Sequence, residues 1–514
     1  MKNRSISIAL LSILLSTLAL AQDVASFEKR ITVKKLPNGL TLIICERPEA
    51  PVFSFFTLVD AGSAQDPMRQ TGLAHMFEHM AFKGTDQIGT TDYAAEKPAL
   101  EKVEVAYAAY IAERDKPVGR DDAKLKQLEQ AWKDAIAAAD KYVVPNAFGK
   151  IVEQNGGEDM NAFTTYDETA YHYSFPENRL ELWAYLESER FLHPVLREFY
   201  KERNVVIEER RMRVDSSPFG RLLEQFTEEA FAAHPYHRPT IGWISDLNHF
   251  SATDAAKFFD KYYVPADMVV AVAGDIKAEQ AMPILEKYFG RLPTRPKPDE
   301  STTTEPPQNS ERRVVLEESS QPVYIEGYHR PDYRSKDDAV FDAIVDLMSD
   351  GRTSRLYRAL VRDKKIASFS EGFTGYPGIK YPQLFAFLAA PLPGHTPKEV
   401  GDAIHEELDR LKKEDITDEE LKMIKTRSKA NLIRGLADNE GLATDLATYQ
   451  TRYDDWRELF RSVDRIDQVT KADIKRVANE VFVDTNRTVG IIENSPASGG
   501  QGAKEASASQ GGGQ

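Results

Sequence analysis

The stretch from Leu292 to Arg312, LPTRPKPDESTTTEPPQNSER, constrains the fold most, because proline, threonine and charge displace every large apolar residue after Leu292. Such a composition cannot form a core and reads as a linker over 293–312. It leaves two core-forming stretches, residues 27–292 and 313–493. These look like copies of one unit. An ungapped shift of 219 residues sets Asp254 on Asp473, Tyr263 on Phe482, Asp267 on Asn486, Val270 on Val489 and Val272 on Ile491. In each copy a helix-like pattern passes through a polar turn into a β-branched strand, MVVAVAG or RTVGIIE. With 514 residues and 41% hydrophobic content, the chain has material for two such domains.

Periodicity predicts strands from Ile31 to Val33, Leu40 to Cys45, Phe53 to Val59 and Thr169 to Ser174, and helices from Thr71 to Ala81, Glu177 to Phe191 and Ala339 to Met348. Hairpin-like strands mixed with helices give an α+β class: two homologous domains of antiparallel sheet packed with helices. Residues 98–142 are rich in Ala, Lys, Glu and Asp and break only at Lys116-Pro117-Val118-Gly119, so they read as a solvated helical hairpin inserted in the first domain.

The ends differ from the body. Lys2 and Arg4 precede an apolar run and then Ala19-Leu20-Ala21, the pattern of a cleavable export signal over residues 1–21. The run is too short for a good membrane span, so none is expected once the signal is removed. An exported protein is expected, periplasmic if the source is a Gram-negative bacterium. The tail 494–514 is low in complexity and is expected to be disordered. Cys45 is the sole cysteine, which excludes disulfides within the chain and any multi-cysteine zinc site. Removing the signal takes two cations and no acid, moving the formal charge from −15 to −17. So acidic a chain is not expected to bind nucleic acid.

A metal must then sit on His, Glu or Asp. The stretch GLAHMFEHMAFKGT, residues 72–85, places His75 and His79 four apart, on one face of a helix, where both imidazoles can meet one ion. Glu78 flanks that face and can reach a water beside the metal without ligating it. A hydrolytic zinc site usually has three protein ligands, and spacing alone leaves Glu96, Glu158, Glu168, Glu202, Glu208 and Glu209 all open as the third. His234-Pro235-Tyr236-His237 is not a regular helical ligand pair because of its proline, and reads as a loop. The lone Gly351 is a turn signal and nothing more.

Residues 72–85, Asn161-Ala162-Phe163-Thr164 with Glu168-Thr169, and the run ERNVVIEERR from Glu202 to Arg211 together resemble the pitrilysin/insulinase family of zinc peptidases. That family includes mitochondrial processing peptidase and carries its zinc motif in inverted order. The resemblance extends over residues 30–493, more strongly in the first stretch. It implies a clamshell of two α+β domains, the second inactive, closing on an extended or unfolded peptide, and one Zn2+ per chain. The family places a ligand glutamate seven residues after another glutamate on a helix, which implies Glu209 as the third ligand and Glu202 as the residue orienting a ligand histidine. Seven residues are nearly two helical turns, so these two share a face while Glu208 points away.

The resemblance further implies Glu78 as general base of a zinc metalloendopeptidase, and Asn161 and Ala162 as an edge to which substrate adds as a strand. Arg362 matches a substrate-holding arginine, but the tyrosine that follows it in the family is absent, since Ser368 and Phe369 stand six and seven residues on. A homodimer, or a heterodimer with an insulinase-like subunit carrying the Arg/Tyr pair, is therefore expected. The alternative is a non-catalytic scaffold subunit of a heteromeric peptidase.

Overall fold

A computed structural model describes residues 27–494. The expected export signal and the expected tail, apart from Asn494, lie outside the described residues. Two compact units are formed. The first comprises the described residues up to Glu208 with Pro239–Thr302 and Ser428–Asp464; the second comprises Glu209–Arg238, Thr303–Arg427 and the described residues from Arg465 on.

The first unit is built on a six-stranded sheet in the order β1-β2-β6-β3-β5-β4, with β1 Ile31–Lys35, β2 Thr41–Glu46, β3 Val52–Val59, β4 Glu158–Thr164, β5 Thr169–Pro176 and β6 Met268–Gly274. The second has the order β7-β11-β8-β10-β9, with β7 Arg312–Glu318, β8 Val323–Arg330, β9 Ala367–Tyr376, β10 Gln383–Pro391 and β11 Arg487–Asn494. Without β1 the two orders correspond strand for strand. Each also contains one parallel pair, β2 with β6 and β7 with β11, so neither sheet is wholly antiparallel.

The internal repeat is visible in backbone detail. The helices Ala252–Tyr262 and Lys471–Val481 open on capping boxes, Ser251 with Asp254 and Thr470 with Asp473, which satisfy the first free N–H groups reciprocally. They end on Tyr263 (φ −85°, ψ 66°) and Phe482 (φ −84°, ψ 62°). A 3-10 turn follows each, and then β6 or β11.

The first sheet is buried on both faces, which explains the unbroken apolar run of β6 and the near-unbroken run of β3. Along β3, Phe53, Phe55 and Val59 enter the main core with Leu73, Met76, Phe77 and Trp183, while Phe56 and Leu58 face the opposite way with Ile43, Cys45 and Val269. That second face is covered by the helix Asn439–Tyr453, whose Leu442, Ala443, Leu446 and Ala447 are fully buried. Reciprocally, the helix Pro218–Ala230 lays Leu222 and Phe226 over the outer face of the second sheet, where Gly327 and Gly490 make room for them. Each sheet is thus completed by a helix from the other linear stretch. The compact units therefore differ from the colinear division 27–292 and 313–493, because an apolar face must be covered and the covering helix comes from across the linker.

Residues 293–312 lack regular structure as far as Glu311, and their polar side chains are tied down. Arg295 bonds Asp260, and Lys297 pairs with Asp60 and Asp267 in the first unit. Glu305 accepts the N–H groups of Ala232, Ala233 and His234 in the second. The inserted hairpin is longer at its start than its composition suggested: the first helix begins at Tyr93, capped by Asp92, and runs through Pro98 to Arg114, and the second spans Asp122–Ala139. Val103 and Tyr107 of the hairpin are buried in the main core, so only its outer face is solvated.

Candidate metal centre

The helix α1 (Leu73–Met80) is short and gains its position from packing. Leu73, Met76, Phe77 and Met80 are buried, with Phe77 stacked on Phe259 at 4.8 Å between ring centroids. Its N-cap, Gly72, has φ 92°, and a Cβ there would lie 2.7 Å from the Ile241 carbonyl oxygen, so only glycine fits. Glycine brings no capping oxygen. Asp66 supplies it, accepting the N–H groups of Gly72 at 2.7 Å and Ala74 at 2.9 Å.

With one side of α1 fixed to the core, His75, Glu78 and His79 are left on the other. His75 is buried, and Glu78 and His79 are partly exposed. The His75 and His79 Nε2 atoms stand 3.3 Å apart with their rings nearly perpendicular, at 86°. One ligand atom from each histidine and a carboxylate oxygen of Glu209 all lie within 4.8 Å of one another. Two nitrogens held about 2.0–2.1 Å from a tetrahedral ion would themselves be about 3.3 Å apart, so the pair matches the demands of zinc.

Glu209 is the penultimate residue of a second helix, α2 (Phe199–Arg210), which continues into a π-helical turn, Arg211–Asp215. Phe199, Tyr200, Arg203, Val206 and Arg210 are buried along it. Glu202 and Glu209 are half-buried, whereas Glu208 is exposed. Arg213 pairs with Glu209 at 3.0 Å from a largely exposed position.

Glu202 lies one layer behind this cluster. Its Oε1 is 3.0 Å from His79 Nδ1, and its Oε2 is 2.5 Å from Lys83 Nζ. Burial raises the Glu202 pKa, but the bonds from His79 and Lys83 outweigh it, and the carboxyl lies below its ordinary range. An ionised carboxylate only accepts, so His79 donates from Nδ1 and keeps its Nε2 lone pair for the cluster. Lys83 was not singled out by sequence reasoning, because a lone lysine after an apolar run carries no signal of its own.

Glu78 is held from the opposite side. Thr164, the last residue of β4, donates its hydroxyl to Glu78 Oε2 at 2.6 Å. β4 turns through Thr165–Glu168 into β5 as a hairpin, and β4 is a sheet edge. Asn161 and Ala162 lie on that edge, opposite His172 and Tyr171, and the Ala162 N–H bonds the Asn161 side chain at 2.9 Å.

Of the other candidate glutamates, Glu96 is fully buried and forks onto Arg197 at 2.8 and 3.2 Å, which accounts for its charge. Glu158 opens β4 and Glu168 sits in the hairpin turn. Arg362, in the second unit, is exposed in a π-helical turn and bonds its neighbour Asp363 at 2.6 Å; Ser368 sits in β9 with its hydroxyl on the Ala390 carbonyl. His234 is buried, and its Nδ1 accepts the Tyr236 N–H, a structural role within its own turn.

The chain matches two profiles of one peptidase family: "Insulinase (Peptidase family M16)" over residues 43–114 and 136–243, and "Peptidase M16 inactive domain" over 249–428. It is 28% identical over 504 residues to the zinc protease PqqE of Helicobacter pylori, covering 95% of this chain and 98% of that one. It is 23% identical to the uncharacterized zinc protease ML0855 of Mycobacterium leprae, over 87% of this chain and 88% of that one. Its fold is similar to the crystal structure of a protease from Helicobacter pylori, with a TM-score of 0.74 and 28% identity, over 90% of this chain and 99% of that chain. With the inverted His-x-x-Glu-His helix, the second glutamate helix and two copies of one sheet topology in place, the chain belongs to the insulinase family of peptidases, M16.

Proposed function

We propose that this chain is a zinc metalloendopeptidase acting on extended or unfolded peptides. The observation that carries the reading is the convergence of His75, His79 and Glu209 within 4.8 Å, with Glu78 beside them on the same helix. Two imidazoles and a carboxylate suit Zn2+, one per chain, and with Cys45 the sole cysteine no thiolate set competes. A zinc ion held there supplies Lewis acidity, which polarises a peptide carbonyl and acidifies water. Glu202 fixes the tautomer and tilt of His79. Glu78 takes the proton of the attacking water and passes it to the leaving amine, so no covalent enzyme intermediate is required. Asn161 and Ala162 offer the free edge of β4 to an extended substrate, which selects backbone shape over side-chain identity.

Export is part of the proposal, to the periplasm if the source is Gram-negative, on the strength of residues 1–21. So is a homodimer, or a heterodimer with an insulinase-like subunit that brings the Arg/Tyr pair, since Ser368 occupies the tyrosine's place after Arg362. The scaffold alternative does not account for the retained Glu78. Purified protein carrying Glu78→Gln is expected to keep one zinc per chain and to lose at least about a hundredfold in peptide cleavage. Zinc-loaded wild-type protein that cuts no unstructured peptide, alone or with a related partner subunit, would defeat the enzymatic reading in favour of the scaffold.

A further inference from the structure

We infer that Thr164 is a positioning residue for Glu78, coupling the open edge of β4 to the base so that a peptide seated on that edge steadies the carboxylate. The inference rests on the peptidase reading above.

A carboxylate accepts through either oxygen, and its terminal torsion is soft. The Thr164 hydroxyl has one proton to give and directs it to Glu78 Oε2 at 2.6 Å, a short charge-assisted bond that halts rotation of the carboxylate that is to receive the attacking water's proton. Thr164 is steadied in turn. It pairs with Thr169 in the ladder, their hydroxyls are 3.5 Å apart, and Thr169 is fully buried with its Oγ1 on the Ala61 carbonyl at 2.9 Å.

The other end of β4 is looser. Its register breaks between Glu158 and Asn161, and Asp159 has φ 56°, so regular pairing with β5 covers only Asn161 to Thr164. Ala162 and Thr164, two apart, share one face of the strand, and Ala162 packs against the main core. A second strand added along this edge would order the short ladder that ends in Thr164, and through its hydroxyl the base.

The test uses full-length zinc-loaded protein and an unstructured fluorogenic peptide. Thr164→Val keeps the shape and removes the donor; kcat is expected to fall about tenfold or more, the effect of losing a hydrogen bond to a charged group, while KM changes by less than about twofold. Zinc content stays at one per chain. Thr164→Ser restores kcat to within about threefold of wild type, which a purely structural role of the methyl group would not allow. If the valine variant fails to fold, Thr164→Ala removes the same hydroxyl and carries the same expectation. Unchanged kcat in a folded variant lacking the hydroxyl, a serine variant as slow as valine, or loss of zinc in place of loss of kcat overturns the inference alone. A zinc-loaded wild type without activity, both alone and with a related partner subunit, overturns the peptidase reading and this inference with it.

Discussion

At the scale of single residues, the centre is organised by charges that hold other groups in place. Glu202 orients His79 and is itself kept ionised by His79 and Lys83. Glu202→Ala is expected to lower zinc affinity about 10- to 100-fold with the fold intact, measured by competition with a chromogenic chelator. The candidate ligand helix was legible in the sequence because i, i+4 histidines with an intervening glutamate obey a geometric rule. The third candidate, Glu209, was named by the family resemblance alone, because no local rule ranks Glu96 against Glu209. In the folded chain Glu96 meets Arg197 in a dry interior, while Glu209 rides one side of a helix facing the histidines. Thr164 and Asp66 were missed for the same reason: a threonine ending a strand and an aspartate in a loop gain their roles only from distant partners.

At the scale of elements, strands β3 and β6 and the helix after Gly72 were readable to within a residue or two, since the strands are dense in β-branched and aromatic residues and the helix repeats its apolar residues at helical spacing. Composition starts the inserted hairpin at Pro98, five residues late, because the Ala/Lys/Glu richness does not register the Asp92 cap; Pro98 falls in the second turn of a helix already started there. The turn Pro235–His237 illustrates how an element carries a pH dependence. His234 caps it through Nδ1, and burial, only partly opposed by Glu305, pushes its pKa down to about 4. The unfolded chain therefore takes up this proton first, so the stabilising contribution is complete above about pH 6.5 and is lost as pH falls toward about 4. Thermal melting across that window is expected to show a falling Tm for wild type and a shallower slope for His234→Asn, which keeps an acceptor at the cap but does not titrate.

At the scale of the whole molecule, the reciprocal exchange of helices makes the two linear stretches interdependent. The duplication was legible, because a helix-like pattern, a polar turn and a β-branched strand recur at a fixed spacing; the exchange was not, because an amphipathic helix does not declare which of two similar sheets it covers. Residues 27–292 expressed alone would bare Ile43, Phe56, Leu58 and Val269, a broad apolar face. That fragment is expected to aggregate, and co-expression with residues 293–494 is expected to return it to solution, as size-exclusion chromatography would reveal.

Cys45 sits beneath the helix Asn439–Tyr453, fully buried among the side chains that the helix covers, and burial pushes its thiol up to about 11. In the closed state it is therefore shielded and protonated, inert to alkylation at neutral pH. The rate at which iodoacetamide labels this solitary thiol times how often the covering helix lifts away. A natural stopwatch for that opening is built into the chain, with no engineered probe required.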